Sequence, residues 1–181
     1  TGANAGAVGT VIMSALPNAP TLSSPADAAA NQLLKPKLQL SGTDADSDFL
    51  QYKIEIATAS TFGGTIVQTI DQSASQTGWT GQNAGSGTGY SATPTTGTTA
   101  SFTVQTALTR NTTYYWRAYA KDPAGSGEWS AVSAVRSFTP NPTLTLTAPS
   151  GGTLSVGQST NITWTSLGPI ANVKLSYSTD G

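Results

Sequence analysis

The stretch Leu108–Thr139, LTRNTTYYWRAYAKDPAGSGEWSAVSAVRSFT, decides how the rest of the chain is read. Within it Tyr114, Trp116, Ala118 and Ala120 alternate with Tyr115, Arg117, Tyr119 and Lys121. That period of two lets a strand bury one face and wet the other. Asp122-Pro123-Ala124-Gly125 and Ser126-Gly127 stop the run, because proline cannot donate to a ladder and glycine admits the positive φ of a tight turn. A second run, Ala131 to Phe138, follows, so the stretch predicts a hairpin of an all-β domain.

Outward from the hairpin the same alternation recurs. Pro20–Pro25 reads as a short first strand, with prolines at its ends where unpaired edges tolerate them. After a loop at Ala26–Asn31, Leu34–Leu40 sets Leu38 and Leu40 on one face. In Phe49–Ala57 the pattern turns Leu50, Tyr52, Ile54 and Ile56 inward and Lys53 and Glu55 to solvent. Gly63-Gly64 leads into Thr65–Ile70, and Ala100–Leu108 turns Phe102 and Val104 inward. With the hairpin this makes about seven strands, the number of a two-sheet sandwich. Between them, Ser73–Thr98 is rich in Gly, Ser, Thr and Gln and carries Trp79 and Tyr90. Long irregular segments of this kind are functional loops or packed flaps.

Leu108, Thr112 and Tyr114, followed by Trp116 and Ala118, resemble the Leu-x-Pro-x-Thr-x-Tyr run that leads into the sixth strand of a fibronectin type III module. Arg110 stands where that family prefers proline. TGWTGQ and YYWRAYAKDPAGSGEWS add a likeness to fibronectin-like modules of large bacterial surface and secreted proteins. The resemblance covers Pro17 to Pro140. It implies an immunoglobulin-like β-sandwich in which the Tyr114 hydroxyl bonds back to the preceding corner. It identifies a scaffold and no particular activity, since sandwich folds host many functions.

Pro140-Asn141-Pro142 is the clearest linker, because two prolines favour an extended spacer. Beyond it the chain resembles the opening of a second bacterial immunoglobulin-like repeat. Its expected strands are Thr143–Thr147, Ser159–Thr165 with Trp164 inward, and Ala171–Ser178 with Val173, Leu175 and Tyr177 inward. The division is therefore 1–16 as an N-terminal strand or arm, 17–140 as the fibronectin type III-like domain, and 141–181 as an incomplete immunoglobulin-like domain. Three strands leave one face uncovered and an edge open. Val8, Val11, Ile12 and Met13 form a lone apolar segment that also has to pair with something. Two readings stay open. In one, the N-terminal strand of one subunit completes the C-terminal half-domain of the next, a heterologous contact that propagates as a fibre. In the other, the chain is a piece of a longer protein, and residues 1–16 are a terminal arm or the last strand of a preceding domain.

Composition narrows the chemistry. The net charge is −1 and 9% of residues are charged, too weak a field for the phosphate contacts of nucleic acid or an anionic membrane surface. No apolar run reaches the length of a membrane helix. With no His and no Cys, catalytic triads and most transition-metal sites are excluded. Asp44, Asp46 and Asp48 in SGTDADSDF offer oxygens of the kind Ca²⁺ takes, although alternating Asp residues also serve turns by bonding local amides. No other cofactor is expected. Trp79 with Tyr90 is the pair that an exposed glycan platform would use, against a role in pinning the long loop to the sandwich. Trp116 and Trp164 read as core. The resulting expectation is a non-enzymatic, extracellular structural or adhesive module of a microbial surface protein. Its partners would be neighbouring repeats or copies of itself, in a head-to-tail filament. The alternative is a carbohydrate-binding or spacer module of a secreted polysaccharide-degrading enzyme.

Overall fold

A computed structural model describes residues 14–83, 87–153 and 155–178; Val8, Val11, Ile12 and Met13, and with them the expected N-terminal strand, lie outside the described residues. No helix occurs among the described residues. The strands are β1 (Thr21–Ser24), β2 (Ala29–Gln32), β3 (Lys37–Ser41), β4 (Phe49–Ala57), β5 (Ile66–Asp71), β6 (Trp79–Thr80), β7 (Tyr90–Ser91), β8 (Ala100–Thr103), β9 (Tyr114–Lys121), β10 (Arg136–Pro140), β11 (Thr143–Ala148) and β12 (Thr163–Leu167).

One sheet has the order β1-β3-β8-β6, and a second runs β2-β10-β9-β4-β5 with β7 also on β4. Their inner faces share one apolar core, so the body of the chain is a β-sandwich. The alternation read from sequence sets that core. Leu50, Tyr52, Ile54 and Ile56 of β4 and Tyr114, Trp116, Ala118 and Ala120 of β9 are buried. The antiparallel register pairs Tyr52 with Ala120, Ile54 with Ala118 and Ile56 with Trp116. Small residues thus lie beside large ones, which lets Leu38, Leu40 and Phe102 of the opposite sheet interdigitate. On the outer face Glu55 lies opposite Arg117 and accepts its Nε–H at 2.7 Å, the one ion pair among the described residues.

Tyr114 closes the corner before β9: its hydroxyl accepts the Thr109 main-chain N–H at 3.0 Å. Its ring lies 6.1 Å from Phe138, and Leu108 is buried beside the same core. Thr112 is half-buried in the turn between them.

Three local expectations change. The loop expected at Ala26–Asn31 contains β2, which pairs parallel with β10. Asp27 anchors it, accepting Ser137 N–H at 2.8 Å and the Ser137 hydroxyl at 3.1 Å. These bonds hold the Asp27 carboxyl below the usual carboxylate range. In the hairpin, Ala131–Val135 is not a regular strand, and the second arm begins at Arg136. The Ser130 and Ser133 hydroxyls take the Ala120 and Ala118 N–H groups at 3.0 and 2.9 Å, while the Ser130 and Ser133 N–H groups donate to the carbonyls of Ala120 and Ala118. Side-chain oxygens thereby stand in for a missing ladder. In the third sheet β11 pairs with β12, which starts at Thr163 and not at the expected Ser159, and no strand forms at Ala171–Ser178.

Ser133 is buried and supplies an acceptor to a central strand. Ser133→Ala leaves the Ala118 N–H unpaired and is expected to lower unfolding free energy by about 1–3 kcal/mol. A urea unfolding curve whose midpoint falls while its slope is unchanged checks this.

Candidate functional site

The loop between β5 and β8 is where an exposed aromatic pair was expected. It folds down onto the sandwich instead. Gln72, fully buried, extends the β4–β5 ladder with its side chain: its Oε1 accepts Tyr52 N–H at 3.1 Å while its own N–H donates to the Tyr52 carbonyl at 3.0 Å. Gln76 folds back onto the Gln72 carbonyl at 2.6 Å, and Gln82 donates to Gln76 at 3.2 Å. Asn83 joins the two limbs of the loop through Ser91 and Thr98, at 2.6 and 3.1 Å. These polar clamps carry the rings inward. Trp79 packs 5.1 Å from Phe102 and 6.4 Å from Tyr52, and Tyr90 lies 5.7 Å from Tyr52. Trp79 is 5% exposed and Tyr90 0%, and the Tyr90 hydroxyl donates to the Thr80 carbonyl at 2.8 Å. The expectation of an exposed Trp79–Tyr90 platform is therefore corrected, and the burial agrees with the other reading, in which the pair pins the long loop to the sandwich. Burying two aromatic faces against a third yields more than presenting them to water in a loop that is otherwise polar.

Aromatic surface does occur on the outer face of the β9–β4 sheet. Lys53 Nζ lies 4.3 Å over the Tyr119 ring and 4.8 Å over Trp129, and the Arg117 guanidinium lies 4.0 Å over Phe62. These cations cover the ring faces that a sugar would stack on.

A second constellation lies at the end of the sandwich where β9 stops and β4 starts. Asp44 and Asp122 are both fully buried. Asp44 Oδ1 accepts the Asp46 N–H at 2.8 Å, as a turn-forming Asp does, whereas Asp44 Oδ2 is buried with no hydrogen-bond partner. Asp122 Oδ1 accepts the N–H groups of Ala124 and Gly125 at 3.0 and 2.8 Å. The Asp48 carboxyl is pushed above its usual range, first by partial burial and then by the charges of Asp122, Asp44 and Asp46. Segment 14–18 lies against this group. The Ser14 hydroxyl is 3.0 Å from Asp122 Oδ2 and 3.2 Å from Asp46 Oδ2, the Ala15 N–H donates to Asp46 at 2.7 Å, and Asn18 bonds Thr43. The sequence reading brought Asp44, Asp46 and Asp48 together but missed Asp122. The signal was available: if β4 and β9 pair, Gln51 lies opposite Lys121, and the loops just outside that pair must meet. As the side chains stand, no three or more Asp, Glu, His or Cys among the described residues are gathered to hold a metal ion.

The third constellation is apolar. In the two-stranded sheet, Leu144, Leu146 and Trp164 share a face, with Leu146 opposite Trp164, while the threonines occupy the other face, where Thr147 and Thr163 bond at 2.7 Å. Trp164 was expected inward, as were Leu175 and Tyr177, yet they are 41%, 55% and 92% exposed. The correction has a plain cause: among the described residues no second layer covers this sheet, so its inner face has nothing to be inside of. Leu146, Pro149, Ile162, Leu175 and Tyr177 line a shallow depression of about 380 Å³ on that face.

Comparison with known proteins finds no family and no curated protein that matches this chain.

Trp79→Ala empties a ring-sized space between Tyr52, Phe102 and Tyr90. The expected loss of stability is about 3–5 kcal/mol. Limited proteolysis should then cut first within residues 73–99, whereas a variant as stable and as resistant as the parent would contradict the pinning role.

Proposed function

We propose that the chain is a non-enzymatic structural module of a microbial surface protein, with an immunoglobulin-like, fibronectin type III-like body, that joins copies of itself head to tail by strand donation. The sheet orders β1-β3-β8 and β10-β9-β4-β5 and the Tyr114–Thr109 corner support the immunoglobulin-like type. Low charge lets such modules sit side by side without strong repulsion. An extracellular setting is consistent with the Thr-, Ser- and Gly-rich composition. The glycan-binding alternative loses its platform with the burial of Trp79 and Tyr90.

The observation that carries this reading is the position of the uncovered sheet. The β11–β12 face follows directly on Pro140, beside Asn111 and Arg110, at the end of the sandwich where β9 begins. Segment 14–18 is tied to Asp122, where β9 ends. The anchor of segment 14–18 and the acceptor face therefore belong to opposite poles. Val8 lies six positions before Ser14, at most about 21 Å of extended chain. The eight residues of β9 alone run about 26 Å. A second copy's β11–β12 sheet, which pairs with no further strand among the described residues, offers Val8–Met13 an open edge and an apolar face.

Sedimentation of the full chain should show concentration-dependent oligomers, and electron microscopy should show fibres. Deleting residues 1–13 removes the donor, and Leu146→Asp spoils the acceptor at an exposed position; each should give monomers. Mixing the two variants should yield a discrete dimer, because one donor and one acceptor remain. A full chain that stays monomeric at high concentration overturns the reading.

A further inference from the structure

On one side of the sandwich both sheets come to an end, β5 being the last strand of one and β6 of the other. A groove of about 350 Å³ opens there. It is lined by Gln68, Thr69 and Asp71 of β5 and by Thr77, Phe102 and Gln105, which lie on or beside strands of the opposite sheet. That size is at the lower end of the range of small-molecule sites. The loop after β5 is held in place by main-chain bonds. The Ala74 and Ser75 N–H groups donate to the Asp71 carbonyl at 3.2 and 3.1 Å, and the Thr103 N–H donates to the Gly78 carbonyl at 2.9 Å. Gly78, at φ 87°, lets this loop close on the groove, since a Cβ there would meet the Phe102 ring at 2.7 Å. The groove is therefore preformed, and a ligand pays little to order it.

The chain itself uses up donors of this lining and leaves acceptors. Gln68 Nε2 donates to the Thr106 carbonyl at 3.3 Å and Gln105 Nε2 to the Thr103 carbonyl. Each amide thus keeps an Oε1 that has no partner among the described residues. Asp71 Oδ1 accepts the Ser73 N–H at 2.9 Å and the Ser73 hydroxyl, while its Oδ2 has no partner among the described residues. The Thr69 and Thr77 hydroxyls make no hydrogen bond within the described chain, and each can donate or accept. Ile70, Ala74 and Phe102 supply the apolar part of the lining, which contains no Lys or Arg.

We propose that this groove binds a neutral saccharide. A pyranose carries hydroxyl donors round its rim, which answer the Gln68, Gln105 and Asp71 oxygens, and C–H faces, which answer Ile70 and Phe102. An apolar ligand would cover those oxygens without pairing them, at the cost of their lost hydration. An anionic ligand would meet the Asp71 carboxylate with no cation in the lining to offset it. Recognition here rests on hydrogen bonds to sugar hydroxyls, so it needs no stacking on the buried Trp79 and Tyr90 rings. The groove lies along an open sheet edge, where the chain of a polysaccharide has room to pass. No residue of β11 or β12 lines it, so the site is independent of strand donation.

The test is calorimetric titration of the full chain with neutral gluco-, manno-, xylo- and chito-oligosaccharides, and with polygalacturonate as the acidic comparison. At least one neutral series should bind at one site per chain, and polygalacturonate should not. Gln105→Ala, at an exposed position, removes one acceptor and should weaken that binding about three- to tenfold. Ala74→Trp, also at an exposed position, fills the groove and should abolish binding while the thermal unfolding midpoint stays where it is. Should Ala74→Trp fail to fold, Gln105→Ala decides alone, and an unchanged affinity in that variant overturns the proposal. So does the absence of heat with every neutral series, binding that a folded Ala74→Trp retains, or polygalacturonate bound as tightly as the neutral sugars.

Discussion

The pairing of β4 with β9 is the constraint on which everything else in this molecule depends. Seven consecutive residue pairs, from Gln51 with Lys121 to Ala57 with Tyr115, lock two long strands in one register. A slip of β4 by one residue would send Leu50, Tyr52, Ile54 and Ile56 to solvent and bring Lys53 and Glu55 into the core. The cost of that exchange is what makes the register unique. Given that register, the inner faces of both sheets fill with a single apolar cluster. The outer face keeps its cations over the aromatic rings of Tyr119, Trp129 and Phe62.

The same ladder sets the two poles of the molecule. At the end where β9 stops, the loop beginning at Asp122 meets the loop of Asp44, Asp46 and Asp48, and segment 14–18 is bonded between them. At the end where β9 starts, Tyr114 bonds Thr109, Asn111 bonds Pro140, and the chain passes into β11. The fully buried Asp44 and Asp122 lie at the first pole and uncovered apolar surface at the second. Among the described residues neither the unpaired Asp44 oxygen nor the apolar β11–β12 face finds a covering partner.

Polar side chains carry part of the backbone pairing. Gln72 prolongs the β4–β5 ladder, Ser130 and Ser133 replace an edge strand beside β9, and Asn83 closes the long loop. A chain with few charged residues has amides and hydroxyls to spare for this. Each such bond fixes irregular backbone at a cost in side-chain entropy smaller than that of an unpaired buried N–H.

What the sequence by itself determined is the part that depends on local period. Alternation over Phe49–Ala57 and Tyr114–Lys121 located β4 and β9 and named their inward residues, and the spacing of Leu108, Thr112 and Tyr114 marked the corner. Tertiary structure alone decided what depends on which distant segments meet. Nothing local in Ala26–Asn31 foretells a parallel partner in β10, which lies more than a hundred residues on. Trp79 and Tyr90 look alike in sequence whether they face water or core, and only the Gln72, Gln76 and Asn83 clamps turn them inward. Trp164 has the alternation of a core residue but lies in a sheet with no second layer. Inward is a property of two surfaces, and a single strand encodes only one of them.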